Sequence, residues 1–213
     1  MGERHMMVDL ETLALRDDAR VVSIAATLFD PEADLAPYLS DLPCLHIDVD
    51  WRTQFDRRLC PETLHWWLCQ PTEVVRQLTD PLRPGDVRQQ LVDALCLLNA
   101  FHAEHRPVRV WAKGSLDFRV LEHAFRSLGV PCGWRYRGQR DVRTLQDELD
   151  SLFTHAHVPG MLAHAPLDDC MVQATNVWAV FQRRAGRRVL FPDAPSPHVG
   201  PLLLRAPTRP RAS

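Results

Sequence analysis

Met7-Val8-Asp9-Leu10-Glu11-Thr12 stands almost at the start of the chain, and its reading decides the fold. Val8 and Leu10 alternate with Asp9 and Glu11, which is the two-residue period of a β-strand. Side chains two apart on a strand share a face, so both carboxylates are presented together. Adjacent acids repel each other and are costly to bury unpaired. A divalent cation between them offsets that cost, and oxygen donors suit magnesium or manganese. An exposed strand edge with two solvated acids fits the same pattern. The question for the rest of the chain is therefore where further ligands lie.

At 213 residues, with 46% hydrophobic and 24% charged side chains, the chain has the size and composition of one globular domain. No apolar run approaches the ~20 residues that span a bilayer. Met1 to Met7 lacks the apolar core of a signal peptide and is set outside the fold, with residues 1–5 as a tag or extension. The six cysteines are scattered without a Cys-x-x-Cys pair, which fits a reducing, cytoplasmic setting. Net charge is −2 but uneven: residues 183–213 hold seven arginines against Asp193, a local +6, which leaves −8 for residues 1–182. An acidic body is not the footprint of a protein that coats long duplexes. Gly-x-Ser-x-Gly, the P-loop and Gly-x-Gly-x-x-Gly are absent, so serine hydrolase, NTPase and dinucleotide readings lack their signatures.

Outward from the first strand, residues 21–29 form an apolar run whose short connection predicts an antiparallel hairpin. Residues 44–49 alternate as a third strand. Pro61 opens a short helix to Leu68, and another runs from Thr72 to Leu78. Asp86 to His102 has the spacing of a core-facing helix, with Val87, Leu91, Val92, Leu95, Leu98 and Phe101 inward. Residues 108–112 read as a strand, followed by a helix from a Ser115 N-cap to Gly129. Tyr136 to Val142 reads as a short strand leading into a helix through Leu152. Residues 154–165 read as a loop, and a last helix runs from Pro166 to about Arg184. From Pro192 onward six of twenty-two residues are proline, which predicts a disordered tail over 192–213 beyond a domain of residues 6–191. The order describes an α/β fold, a mixed central β-sheet flanked by helices.

Asp117 and Asp169 each fall in the first turn of a helix, where the helix dipole favours the ionised form that a cation needs. Helix capping explains either residue taken alone. His164 precedes Asp169 by five residues and can take a proton from water near neutral pH. His155, His157 and His164 form a rival zinc grouping, but no fourth soft ligand stands at a standard spacing.

These pieces together resemble the DEDDh 3′–5′ exonucleases, the DnaQ-like branch of the ribonuclease H-like fold. The motifs are Val8-Asp9-Leu10-Glu11-Thr12-Leu13, Gly114-Ser115-Leu116-Asp117-Phe118-Arg119-Val120-Leu121 and His164-Ala165-Pro166-Leu167-Asp168-Asp169, and the resemblance covers about residues 6–184. Leu64-His65-Trp66-Trp67-Leu68 and Arg140-Asp141-Val142-Arg143-Thr144-Leu145 are similar to the small stand-alone exoribonuclease-like proteins of bacteria and phages. Leu116 stands where relatives often carry an aromatic residue. Lys113, the chain's only lysine, stands where they often carry a small or amide residue.

The resemblance implies that Asp9, Glu11, Asp117 and Asp169 bind two divalent ions, Mg2+ or Mn2+, with His164 as general base. It further implies release of nucleoside 5′-monophosphates from single-stranded 3′ ends. The five-residue spacing selects Asp169 over Asp168, because neighbours on a helix point about 100° apart. Thr12 and Leu13 are expected to line the pocket for the last nucleotide. Either Trp66 or Trp67 can meet a base while the other is buried. Arg143 reads as a phosphate contact or a surface ion pair. Asp141 reads as a support behind the ligands or as the N-cap of the next helix. RNA is the expected substrate. Single-stranded DNA is the alternative, and a non-catalytic nucleic-acid-binding module is the rival from another class. The resemblance also admits a homodimer and implies no membrane partner.

Overall fold

The computed structural model of the protein describes residues 3–79, 88–149, 151–158 and 160–190. The expected proline-rich tail, the breaks at Pro81 and Pro84 and the start of the Asp86 helix lie outside the described residues.

Five strands form one sheet in the order β3-β2-β1-β4-β5, comprising β1 (His5–Thr12), β2 (Val21–Phe29), β3 (Cys44–Asp48), β4 (Arg109–Ala112) and β5 (Gln139–Asp141). The hairpin is present: β1 pairs antiparallel with β2, and β2 with β3. β4 runs parallel to β1 and to β5. The helices are α1 (Pro61–Leu68), α2 (Thr72–Thr79), α3 (Leu91–His105), α4 (Leu116–Ser127) and α5 (Pro166–Arg184).

Alternation on β1 sorts its side chains into two layers. Met6, Val8 and Leu10 pack with Leu95 and Leu98 of α3 and Leu121 and Phe125 of α4. Met7, on the other face, packs with Ala25, Trp111 and, from α5, Cys170, Ala174 and Val177. Each fully buried side chain of these layers contributes roughly 1.5–3 kcal/mol. Asp9 and Glu11 continue the Met7 face and so point to the α5 side. The β1–β4 ladder ends at Met7↔Trp111, so β1 runs beyond its parallel neighbour and carries both acids into a notch at the end of β4.

Several local expectations change. His5, placed outside the fold by the character of the first residues, is instead the first residue of β1 and is buried. Its Nδ1 accepts a 3.0 Å hydrogen bond from Trp111 Nε1, and Phe29 and Phe181 meet its ring edge-on. Ser115 sits at the N-cap of α4, but its side chain makes no capping bond. Val92 and Leu128, expected inward, are exposed, because each falls just off the buried stripe of its helix. Residues 136–138 and 142–148 are 3-10 turns rather than strand and α-helix, leaving β5 only three residues long. Among the described residues no helix is long and apolar enough to cross a membrane.

Burial, with Arg109 next in weight, lowers the His5 pKa from 6.5 to about 4. The unfolded chain takes up that proton at the ordinary value, whereas the folded chain resists it. The stability contributed is therefore complete above 6.5 and is lost as pH falls toward 4. Thermal unfolding of wild type and His5→Gln across that window checks this: wild type is expected to lose more stability, and parallel curves would contradict it.

Candidate active site

Asp9 and Glu11 are buried in the notch, each less than a tenth exposed. Gln173 Nε2, from α5, donates a 2.8 Å hydrogen bond to Asp9 Oδ1, which fixes one carboxylate oxygen and leaves the other for a ligand. Glu11 lies opposite Ser23 of β2, and the register shifts between Glu11 and Thr12. That irregularity turns the chain just past the second acid.

Asp117 enters from the first turn of α4 and is also buried. It accepts backbone hydrogen bonds from Leu10 and from its own N–H. The Leu10 amide belongs to the part of β1 that has outrun β4, so the carboxylate stands in for a missing strand partner. The turn into α4 is held by Asp141, whose Oδ1 accepts from Gly114 N at 2.7 Å and from Arg143 N at 2.9 Å. Gly114 has φ +89°, and a Cβ there would meet the Arg143 guanidinium at 3.1 Å. Both facts require glycine. Arg143 thus lies across the turn, where its charge favours ionised Asp117.

Asp169 lies in the first turn of α5, and His164 lies just before that helix with φ +63°. Ligand atoms of Glu11, His164 and Asp169 all fall within 4.8 Å of one another. The adjacent Asp168 turns elsewhere, accepting from Leu162 N at 3.0 Å and so tying down the loop that carries His164. Gln77 Nε2 donates to the His164 carbonyl at 2.6 Å, and the Trp66 ring meets the His164 ring edge-on at 4.8 Å. His155 Nε2 lies 2.9 Å from Asp169 Oδ1.

The electrostatics follow from burying like charges. Burial raises the Asp9 pKa well above its ordinary value, and the charges of Asp117, Glu11 and Asp169 raise it further. Glu11 is pushed up by burial and then by Asp169 and Asp117. Burial likewise brings Asp117 up to about 7, against the opposing pull of Leu10 and Arg143. Among the described residues Asp9, Glu11 and Asp117 form no ion pair. Oxygen donors held together without a counter-charge, beside an imidazole, are a donor set for a hard divalent cation.

The five residues sequence reasoning brought together as ligands and base therefore meet in one place. The substrate-side expectations divide. Leu13 is fully enclosed against Val22, Trp67, Val74 and Leu78, so its role is packing and it lines no pocket. Trp67 is 1% exposed and donates to the Thr12 carbonyl at 3.0 Å, which corrects its expected place at the substrate. Trp66 is 41% exposed and faces the site. Thr12 is buried, with Oγ1 donating to the Ala14 carbonyl. Gln173 and His155 were missed. Gln173 stands four residues after Asp169 on one helix, a spacing that puts both on one face and was readable. The zinc grouping is not formed, since His157 turns back to Thr154.

Comparisons with known proteins agree with this geometry. The phage T4 exodeoxyribonuclease is 24% identical over 194 residues, covering 77% of this chain and 83% of its own length. Two solved structures share the fold at low identity. Zinc-bound E. coli exonuclease I with single-stranded DNA has a TM-score of 0.52 and 13% identity over 88% of this chain. Product-bound exonuclease I has a TM-score of 0.51 and 12% identity over 86%. This chain spans only 42% and 44% of those two chains. A family model described as the 3′–5′ exoribonuclease Rv2179c-like domain matches residues 4–181. That span takes in all four carboxylates and His164 in their order, and the chain belongs to the Rv2179c-like family of 3′–5′ exoribonuclease domains.

Proposed function

We propose that the protein removes nucleotides from the 3′ ends of single-stranded RNA in a reaction that needs two divalent cations, Mg2+ or Mn2+. The observation that carries this reading is the convergence of Asp9, Glu11, Asp117, Asp169 and His164 in a buried notch without a balancing charge. Asp9, Glu11, Asp117 and Asp169 would hold the ions. When bound, such ions stabilise the charge that develops on a phosphodiester and acidify a water.

The chain's own groups supply the rest. Gln173 holds Asp9 in one orientation, and Asp141 and Arg143 hold the turn that presents Asp117. An imidazole nitrogen of His164 takes the proton of the attacking water as general base. Attack at the terminal phosphodiester breaks the bond from phosphorus to the 3′ oxygen. That oxygen takes up a proton, and a nucleoside 5′-monophosphate leaves. The Gln77 bond and the Trp66 contact set the height and tilt of the His164 ring. Trp66, exposed beside the site, offers its free face to the terminal base. Arg143, exposed at the rim next to Asp117, is placed to meet a backbone phosphate.

The family description favours RNA, whereas the T4 relative is named an exodeoxyribonuclease, so single-stranded DNA is the second reading. Matched 3′-labelled RNA and DNA oligomers with Mn2+ decide between them. Faster release from RNA is expected, and faster release from DNA would reverse the assignment.

Replacing Asp9 with Asn removes one of several repelling charges while keeping an oxygen for Gln173. It is expected to abolish hydrolysis and to raise the melting temperature in EDTA by about 2–4 °C for each kcal/mol of repulsion relieved. A lower melting temperature, or retained activity, would count against the site. His164→Ala is expected to lower kcat about 10²- to 10⁴-fold with Mn2+ binding retained. Trp66→Ala is expected to raise KM roughly 5- to 100-fold, the usual worth of one stacked base; an unchanged KM would remove the stacking role.

A further inference from the structure

The sequence singled out two histidines, His155 and His157, that the proposed reaction does not use. They are held differently. His157 Nδ1 faces Thr154 N at 3.1 Å and Thr154 Oγ1 at 3.0 Å, closing a turn. His155 points the other way, and its Nε2 lies 2.9 Å from Asp169 Oδ1.

That contact is not an ordinary hydrogen bond. The distance is short enough, yet the nitrogen is enclosed and has no partner in hydrogen-bond geometry. The distance describes how near the two atoms are; the missing bond shows that the N–H direction does not run to the oxygen. Two donor atoms that are close without pointing at each other can point at a shared third atom. Ligands on one cation, at bonds of about 2.1 Å and roughly a right angle, stand about 3 Å apart. Asp169 also belongs to the group in which donor atoms of Glu11 and His164 lie within 4.8 Å. The other side of the same carboxylate thus already faces the candidate metal centre.

We propose that His155 is a further ligand of the metal centre, a nitrogen donor beside Asp169 that shifts the preference of the site from Mg2+ toward Mn2+. The inference rests on the metal-dependent reading above. Imidazole suits transition metals, whereas Mg2+ prefers oxygen and releases its waters reluctantly. A histidine that only oriented Asp169 would help either ion alike, because it would act through the same carboxylate. Selectivity therefore separates a ligand from a positioning residue.

The test measures Mn2+ affinity of the full chain from the free-ion EPR signal, and Mg2+ affinity by its displacement of Mn2+. In His155→Ala the Mn2+ dissociation constant is expected to rise about 10- to 100-fold, with the Mg2+ constant changing less than about threefold. The 14N modulation of the Mn2+ echo is expected to weaken with it. His155→Phe serves as a second variant that keeps the ring volume, and unfolding in EDTA shows that both variants fold. Equal weakening for the two ions, or none, with undiminished 14N modulation, would overturn the assignment. A wild-type chain that binds neither ion would overturn the metal-dependent reading itself, and this inference with it.

Discussion

Like charges forced together out of water are the constraint on which the rest of this structure depends. Glu11 and Asp169 place ligand atoms within 4.8 Å, and Asp9 feels Asp117, Glu11 and Asp169 together. One such pair costs about 3–4 kcal/mol at the effective dielectric of a protein. A chain with ordinary stability of about 5–15 kcal/mol cannot collect several of these pairs without compensation. Part of it comes from proton uptake, as the raised pKa values of Asp9, Glu11 and Asp117 express. Bound cations supply the rest and return the carboxylates to the charged form.

The fold is arranged to enforce this crowding. β1 outruns β4, so its last acids enter a notch where strand pairing has stopped. α4 and α5 begin at that notch and aim their positive N-terminal ends into it, which favours carboxylates over other residues there. The layers on the two faces of β1 fix the sheet on both sides, so the acids cannot retreat. Asp168 and Gln77 tie the His164 loop, and Asp141 ties the turn into α4. The site is thus held by groups that never touch the substrate.

How much of this was legible depended on the type of signal. The β1 alternation and the helix starts at Asp117 and Asp169 are local patterns, and they led to the four acids and His164 directly. Burial on a strand that continues past its neighbour is not local. Leu13 follows the acid pair in sequence but turns under α1 and α2, so adjacency suggested a substrate contact where packing prevails. Trp66 and Trp67 differ by one helical step, and only the position of α1 over Thr12 decides which is enclosed. His5 looked like part of a polar leader because its partners, Trp111 and Phe181, lie more than a hundred residues away. β5 escaped its expected length because Tyr136 to Gly138 turn as a 3-10 segment before pairing begins. His155 stands in a loop whose placement beside Asp169 no spacing rule encodes.

The most direct test of the convergent metal centre is anomalous diffraction at the manganese edge, from crystals soaked with Mn2+ and a non-hydrolysable single-stranded oligonucleotide. Peaks inside the notch bounded by Asp9, Glu11, Asp117 and Asp169 are the predicted result. Manganese bound only elsewhere, at a concentration that supports hydrolysis in solution, would contradict the account.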